Sequence, residues 1–177
     1  MKEKKRLDLA RRIVIGAVEN MLKVLKYYRA RGKQIGGNID SIEAWQSKIM
    51  DQNEIPELMA VEGRIREVYY GAFDAILENP DFPFERRTRR PPKNELNSLI
   101  SFGNTLLYTI CLSEIYKTHL DPRIGFLHTT NFRKFSLNLD VAEIFKPILI
   151  DRIIFSLIGR KQIQKTDFDS ESGGLLM

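Results

Sequence analysis

Apolar residues recur at intervals of three and four along most of this chain, and this spacing constrains the fold more than any other feature. It is the period of an α-helix with one buried face, whereas a half-buried strand would alternate at every second residue. Two stretches show it best, one with Leu9, Ile13, Ala17, Met21, Val24 and Tyr28, the other with Leu58, Val61, Ile65, Val68, Ala72 and Ile76. The pattern predicts an all-α fold with helices over 7–28, 41–50, 56–78, 94–119 and 137–158.

Prolines and glycines mark where these helices are expected to end. Gly32 and Gly36-Gly37 interrupt the chain after the first helix, and Asn79-Pro80 ends the third. Pro147 lies inside the last predicted helix, where its missing N–H predicts a kink. We expect a single domain over residues 1–177, with the polar tail 162–177 flexible or incomplete.

The composition narrows the possible functions. The chain has 177 residues, 43% of them hydrophobic, which suffices for a folded core. Its net charge of +5 favours an anionic partner, such as a nucleic acid. The single cysteine, Cys111, precludes an internal disulfide and fits a reducing compartment. Since we recognise no membrane-spanning run and no signal peptide, we expect a cytoplasmic protein without a membrane partner.

Several enzyme classes lack their sequence signatures here. The chain has no Gly-Lys-Ser/Thr phosphate loop, no dinucleotide fingerprint and no Gly-X-Ser-X-Gly motif. Cys111 lies among apolar residues of a predicted helix, which indicates a core position and not a nucleophile. A reaction at this protein would therefore need another kind of centre.

Glu62, His128 and Glu143 are the candidates for such a centre, because each lies in or beside an apolar stretch. A carboxylate near a core is unfavourable unless it is paired or binds a cation. If the three side chains converge, they form a site for a divalent metal, with Mn²⁺ or Mg²⁺ favoured over zinc. The alternative is that each acid is solvated or salt-bridged and the histidine is structural. No spacing motif links Glu62 to the other two residues.

The last predicted helix carries further acids. Asp140 and Glu143 are three residues apart and share a face, and Asp151 lies near the same line. Carboxylates on an otherwise apolar helix need cationic partners. The candidates are a metal or the side chains of Arg123, Arg133, Lys134 and Lys146.

The segment 85–93 forms a second candidate site, which we call the basic loop. It contains Arg86, Arg87, Arg89, Arg90 and Lys93, together with two prolines. Arginine binds phosphate through two parallel hydrogen bonds, so this loop is a candidate for contacts with a nucleic-acid backbone. The alternative is a solvated loop without a partner.

Four ordered segments of the chain resemble one known family. They are 59–64 (Met-Ala-Val-Glu-Gly-Arg) with Tyr69-Tyr70, 90–103, 125–128 (Gly-Phe-Leu-His), and 136–147 with Asp151. In this order they resemble the catalytic domain of the CRISPR-associated integrase, the larger protein of the spacer-acquisition complex. The resemblance covers most of residues 57–151.

The resemblance implies a helical, C-terminal catalytic domain with one metal, Mn²⁺ or Mg²⁺. Its ligands would be Glu62, His128 and Glu143, with Asp140 as a supporting acid. The implied reaction is phosphodiester transesterification by a DNA 3′-hydroxyl, so that no protein nucleophile is needed. The implied partners are prespacer and repeat-array DNA, a second copy of the full-length chain, and the small partner protein of the complex.

The chain also departs from the family pattern. Family members begin with a small β-domain used in dimerisation, and nothing here indicates one. The tail stops where members usually continue, so we expect a multi-helix catalytic domain that lacks the N-terminal β-domain, and a truncated fragment. Two other functions stay open, namely a non-enzymatic helical DNA-binding module and a protein-interaction scaffold.

Overall fold

A long first helix forms the centre of the structure, a computed structural model that describes residues 3–128, 134–171 and 174–176. Helix α1 spans Glu3–Arg29. Its inward face repeats every three or four residues, with Ala10, Val14, Val18, Met21 and Leu25 all buried. Apolar residues at helical spacing thus form the face by which α1 packs against the other helices.

The remaining described elements are mostly helical. They are α2 (Gly36–Gln46), α3 (Ile55–Tyr70), α4 (Phe73–Leu77), α5 (Glu95–Tyr116), α6 (Leu137–Phe145) and α7 (Arg152–Gly159), with 3₁₀ turns at Ile49–Asp51 and Lys165–Asp167 and a π-helical segment at Lys146–Asp151. Strands β1 (Asp169–Glu171) and β2 (Gly174–Leu176) pair antiparallel, with Asp169 opposite Leu176. The predicted all-α class is confirmed. Within the described residues, no helix is both long enough and apolar enough to cross a membrane.

Three of the helices differ from those predicted. Helix α2 begins at Gly36 and not at residue 41, so Gly36-Gly37 lies inside it. The other predicted break, Gly32, separates α1 from α2, and its φ of 89° is a conformation that glycine adopts readily. The predicted helix 56–78 is two helices, because the chain turns at Gly71 after α3 ends. In the described part of the tail, Phe168 packs its ring against Phe82 at a centroid distance of 6.0 Å.

The third difference concerns Pro147, which produces a π-helical segment where a kink was predicted. Proline cannot donate to the carbonyl four residues earlier, and wider π-type hydrogen bonds let the helix continue past this gap. Two neighbours contact the end of α6 and the segment that follows it. The side-chain amide of Asn20 on α1 donates to the carbonyl of Ile144 at 2.7 Å. Gly103 on α5 lies so close to Ile150 that a β-carbon there would approach it to 2.6 Å.

An aromatic cluster fixes α3 against the end of the chain. Tyr69, Tyr70 and Phe73 are buried, and both tyrosines pack edge to face with Phe73 at the start of α4. Phe73 in turn packs edge to face with Phe155 of α7 and Phe84 of the loop after α4, and Tyr70 stacks on Phe84. Burial of each such ring contributes roughly 1.5–3 kcal/mol. Because α3 carries Glu62 two turns before Tyr69, this packing also sets where Glu62 lies.

Candidate metal centre

Glu62 and Glu143 come together from different helices and share one cation, Arg66. The Arg66 Nε donates to Glu62 Oε1 at 2.6 Å, and its terminal nitrogen donates to Glu143 Oε2 at 2.5 Å. The side chains are largely buried, with 18% of Glu62, 11% of Arg66 and 10% of Glu143 exposed. Helices α3 and α6 therefore place the two predicted carboxylates in contact with the same guanidinium group.

A second cation completes the neutralisation of Glu143. Lys146, one turn further along, donates to Glu143 Oε1 at 2.5 Å and to the hydroxyl of Tyr108 at 2.7 Å. Burial by itself would raise the pKa of Glu143. The charges of Arg66 and Lys146, with a smaller effect of His128, outweigh burial and lower this pKa to about 2. Glu143 is thus ionised at neutral pH, as a metal ligand must be.

His128 and Asp140 form the other half of the centre. Asp140 is completely buried at the start of α6, and its carboxylate accepts the backbone N–H groups of Phe126, Leu127 and His128 at 2.5–3.0 Å. It also lies 2.7 Å from Nδ1 of the His128 ring. This fixes the imidazole and leaves Nε2 as the nitrogen free to bind a ligand, which is the arrangement found around metal-binding histidines.

A tight turn before His128 allows this arrangement. A β-carbon at Gly125 would lie 2.7 Å from the carbonyl oxygen of His128 and from the Ser136 hydroxyl. That hydroxyl accepts the Gly125 N–H at 2.9 Å and donates to the carbonyl of Arg123. Gly125 is therefore the residue that lets the loop close onto the start of α6.

We call Glu62, Arg66, His128, Asp140, Glu143 and Lys146 the paired cluster. Its donor set of two ionised carboxylates and one oriented imidazole fits Mn²⁺ or Mg²⁺ in its chemistry. In residues 3–128, 134–171 and 174–176, however, no three His, Cys, Asp or Glu side chains are already grouped closely enough to hold a metal. Arg66 is what lies between the two glutamates.

The other acids and cations named from the sequence have different roles. Asp151 is buried and accepts a hydrogen bond from the Tyr69 hydroxyl at 3.0 Å, and burial raises its pKa to about 7. Arg123 pairs with Asp121 at the surface, and Lys134 lies over the ring of Phe135. Of the four cations considered, the structure pairs Lys146 with an acid of α6. Arg133 lies outside the described residues.

Arg66 is the residue of the paired cluster that sequence reasoning missed. Its position four residues after Glu62 was a usable signal, because such a pair shares one helix face. Its contact with Glu143, 77 residues away, had no signal in the sequence.

The basic loop divides into one anchoring arginine and several exposed cations. The guanidinium of Arg87 is turned inward, where it donates to Asn97 Oδ1 at 2.8 Å and to the Ser101 hydroxyl at 3.0 Å. The same Asn97 oxygen accepts the N–H of Thr88 at 3.0 Å, which fixes the loop against α5. The side chains left at the surface are those of Arg86, Arg89, Arg90 and Lys93.

The basic loop and two members of the paired cluster, Glu62 and Arg66, line a common pocket of about 520 Å³. Its lining includes Glu62, Gly63 and Arg66 of α3 on one side, and Arg86 and Arg89 on the other. An anion in this pocket would lie between the exposed arginines and the candidate metal ligands.

The family profile described as CRISPR associated protein Cas1 matches residues 1–177, so the chain belongs to the Cas1 family. It is 56% identical over 173 residues to "CRISPR-associated endonuclease Cas1 2" of Thermodesulfovibrio yellowstonii, covering 98% of this chain and 52% of that protein. The chain thus spans about half the length of the curated relatives it matches. The family assignment made from the four ordered segments is confirmed.

Solved structures share the fold. A Cas1 protein from Thermotoga maritima superposes with a TM-score of 0.90 at 48% identity, covering 99% of this chain and 54% of that one. A casposase bound to integration product superposes with a TM-score of 0.86 at 25% identity, covering 98% of this chain and 51% of that one. A chain of a partial Cas6-RT-Cas1–Cas2 complex superposes with a TM-score of 0.90 at 26% identity, covering 98% of this chain and 53% of that one.

Proposed function

We propose that this chain is the catalytic domain of a divalent-metal-dependent DNA endonuclease and integrase that inserts new spacers into a CRISPR array. The observation that carries the proposal is the convergence of Glu62 and Glu143, from two helices, on one largely buried point. The printed names of the Cas1 relatives, which call them endonucleases, support the same reaction class.

Glu62, Glu143 and Nε2 of His128 would hold Mn²⁺ or Mg²⁺, with Asp140 supporting the imidazole. When bound, the metal supplies charge stabilisation at the scissile phosphate. Asp140 keeps the ring of His128 in one orientation through Nδ1. Burial opposes ionisation of Glu143, and the charges of Arg66 and then Lys146 lower its pKa to about 2.

The nucleophile comes from the DNA. The 3′-hydroxyl of a captured DNA end attacks a phosphodiester of the repeat array, a new P–O bond forms, and the bond to the displaced 3′-oxygen breaks. Water in place of this hydroxyl gives cleavage. Arg86, Arg89, Arg90 and Lys93 bind backbone phosphates and set the position of the strand without reading its sequence. Arg87, also predicted to bind phosphate, is assigned the anchoring of the loop.

We further propose the partners of the intact protein. They are prespacer and repeat-array DNA, a second copy of the full-length chain, and the small CRISPR-associated partner protein, all in the cytoplasm. The names of the matched structures, a casposase with its integration product and a Cas1–Cas2 assembly, support DNA and the small partner.

Substitution of the three candidate ligands tests the proposal. We expect Glu62→Gln, His128→Ala and Glu143→Gln each to abolish Mn²⁺-dependent DNA cleavage and joining, while circular dichroism shows a folded chain. Glutamine keeps the size of each glutamate and can still accept from Arg66 or Lys146. Glu19→Gln at an exposed position of α1, outside this pocket, is the control and should keep full activity. Wild-type activity in any of the three ligand variants would disprove the assigned site.

A non-enzymatic DNA-binding module is the second candidate, because Arg66 and Lys146 already satisfy both glutamates. Calorimetry with Mn²⁺ separates the two functions. Binding that disappears in Glu143→Gln supports the metal enzyme, whereas absence of binding at millimolar Mn²⁺ together with salt-dependent DNA binding supports the module. A protein-interaction scaffold, the remaining alternative, predicts no salt-dependent DNA binding at all.

A further inference from the structure

Arg66 occupies the position between the two carboxylates that the proposed metal also requires. Its Nε and a terminal nitrogen both contact Glu62 Oε1, and the same terminal nitrogen contacts Glu143 Oε2. Lys146 contacts the other oxygen of Glu143, Oε1, and makes no contact with Glu62 that would bridge the helices. In the described part of the chain, Arg66 is thus the cation shared by Glu62 and Glu143.

Two carboxylates this close and this poorly solvated need a cation at all times. With Glu62, Glu143, Arg66 and Lys146 all charged, the group is neutral, and its charges compensate one another in a largely buried place. A divalent cation brings two positive charges to the same oxygens. It can therefore replace the single charge of the guanidinium there, whereas Lys146 can stay on its own oxygen.

The pocket beside α3 offers the displaced guanidinium another place. Arg66 is itself part of the pocket lining, opposite Arg86 and Arg89 of the basic loop. Gly63, one turn earlier on α3, adds no side chain, and a β-carbon there would meet nothing within 4 Å. The lining also includes Arg87 and the carboxylates of Glu67 and Glu85, so release of Arg66 from the two glutamates would make the charge in this pocket more positive. The anion of the proposed substrate that would bind there is a DNA phosphate.

We propose that Arg66 is a displaceable counter-cation, which holds Glu62 and Glu143 in the metal-free chain and binds a DNA phosphate in the neighbouring pocket once a divalent metal takes its place. The inference rests on the proposed metal-dependent function. It assigns Arg66 to two sites in turn, and so couples metal binding to phosphate binding.

The first test measures Mn²⁺ affinity of the 177-residue chain by calorimetry. Because Arg66→Gln removes the competing cation, we expect it to bind Mn²⁺ about tenfold more tightly than wild type. Arg64→Gln is a matched control on the same helix, since Arg64 pairs with Glu67 at the surface and should leave the affinity unchanged. Arg66→Lys cannot bridge both carboxylates as a guanidinium does, so its Mn²⁺ affinity should lie between those of wild type and Arg66→Gln. If Arg66→Gln does not fold, Arg66→Lys takes its place in the test.

The second test measures how DNA affinity depends on salt, with and without a fixed concentration of Mn²⁺. With Mn²⁺, Arg66→Gln should reduce the slope of log affinity against log salt by about one, the value for one lost phosphate contact. Without Mn²⁺ it should leave the slope unchanged, because Arg66 is then held by the glutamates. Arg86→Gln should reduce the slope under both conditions.

The outcomes separate this inference from the proposed function. Equal or weaker Mn²⁺ binding by Arg66→Gln, in a chain whose wild type binds Mn²⁺ and cleaves DNA, overturns the counter-cation role and leaves the function standing. A slope that Arg66→Gln reduces equally with and without metal also overturns it. Failure of the wild type to bind Mn²⁺ overturns both proposals together.

Discussion

The paired cluster and the basic loop both concentrate charge, but they differ in how that charge is compensated. Glu62 and Glu143 of the paired cluster pair with Arg66 and Lys146 at no more than 2.6 Å, and buried Asp140 accepts three backbone N–H groups. In the basic loop, Arg87 is anchored by neutral oxygens, and Arg86 and Arg89 are exposed. Burial makes the difference, because a buried charge without a partner is costly whereas an exposed one is solvated. The paired cluster can thus be altered only with a large effect on stability, and the loop with a small one.

The largest expected effect is at Asp140, the most buried member of the paired cluster. Asp140→Ala removes the acceptor of three backbone N–H groups and the partner of His128. We expect the free energy of unfolding in urea to fall by about 3–5 kcal/mol at neutral pH. Asp40→Ala, at an exposed position of α2, is the control and should change it by less than about 0.5 kcal/mol. Equal losses in both variants would remove the distinction drawn between buried and exposed charge.

Asp151 gives a smaller effect, and one that depends on pH. Its pKa is about 7 in the folded chain and about 3.8 ordinarily, so the folded state favours the protonated form. Its contribution to stability is therefore fully present below pH 4 and is lost as the pH rises through 7. Asp151→Asn mimics the protonated group.

We therefore expect wild type to lose roughly 1–3 kcal/mol relative to Asp151→Asn between pH 4 and pH 8, measured by urea unfolding across this range. Asp40→Asn should follow the wild-type curve. Parallel curves for wild type and Asp151→Asn would show that burial does not raise the pKa of Asp151.

Arg86 and Arg87 allow the same comparison within the basic loop, because they are neighbours in sequence and differ in environment. Arg87→Ala leaves Asn97 and Ser101 without their guanidinium partner, and we expect unfolding to become easier by about 1–2 kcal/mol. Arg86→Ala at the exposed position should cost less than about 0.5 kcal/mol. Urea unfolding of both variants under one condition is the measurement, and equal costs would contradict the anchoring role of Arg87.

The smallest effect on stability, and the clearest on binding, is expected at Arg89. Arg89→Gln should leave urea unfolding unchanged and reduce the slope of log DNA affinity against log salt by about one. Arg12→Gln, on the first helix, is a control with the same loss of charge away from the pocket. A slope that falls equally in both variants would indicate general electrostatic attraction and not a phosphate site at the basic loop.

Some features of the fold could be predicted from the sequence, and others close to them could not. The helical class followed from apolar spacing. Of the residues whose period predicted α1, Ala17, Met21 and Val24 are buried, Ile13 and Tyr28 are half-buried, and Leu9 is exposed. The disturbance at Pro147 was predicted, but its form was not. A kink and a π-helical segment both compensate for a missing N–H, and contacts of the segment with Asn20 and Gly103 lie beyond local sequence.

The candidate site, too, was predicted from the sequence only in part. The sequence proposed Glu62, His128, Asp140 and Glu143, from acids and a histidine beside apolar runs and from the resemblance to the family. It missed Arg66 as a member and could not distinguish Arg87 from Arg86. A loop has no period that would indicate which side chain turns inward, and the oxygens that bind Arg87 belong to a later helix.

The sequence by itself determined the helices, the family and the candidate ligands, because periodicity and short motifs depend on residues close together in the chain. Only the tertiary structure decided which charges meet. The contact between Arg66 and Glu143 joins residues 77 positions apart, and it depends on how α3 and α6 pack around α1. Pairing across such a distance follows from the geometry of the whole core, where burial makes an unpartnered charge too costly to persist.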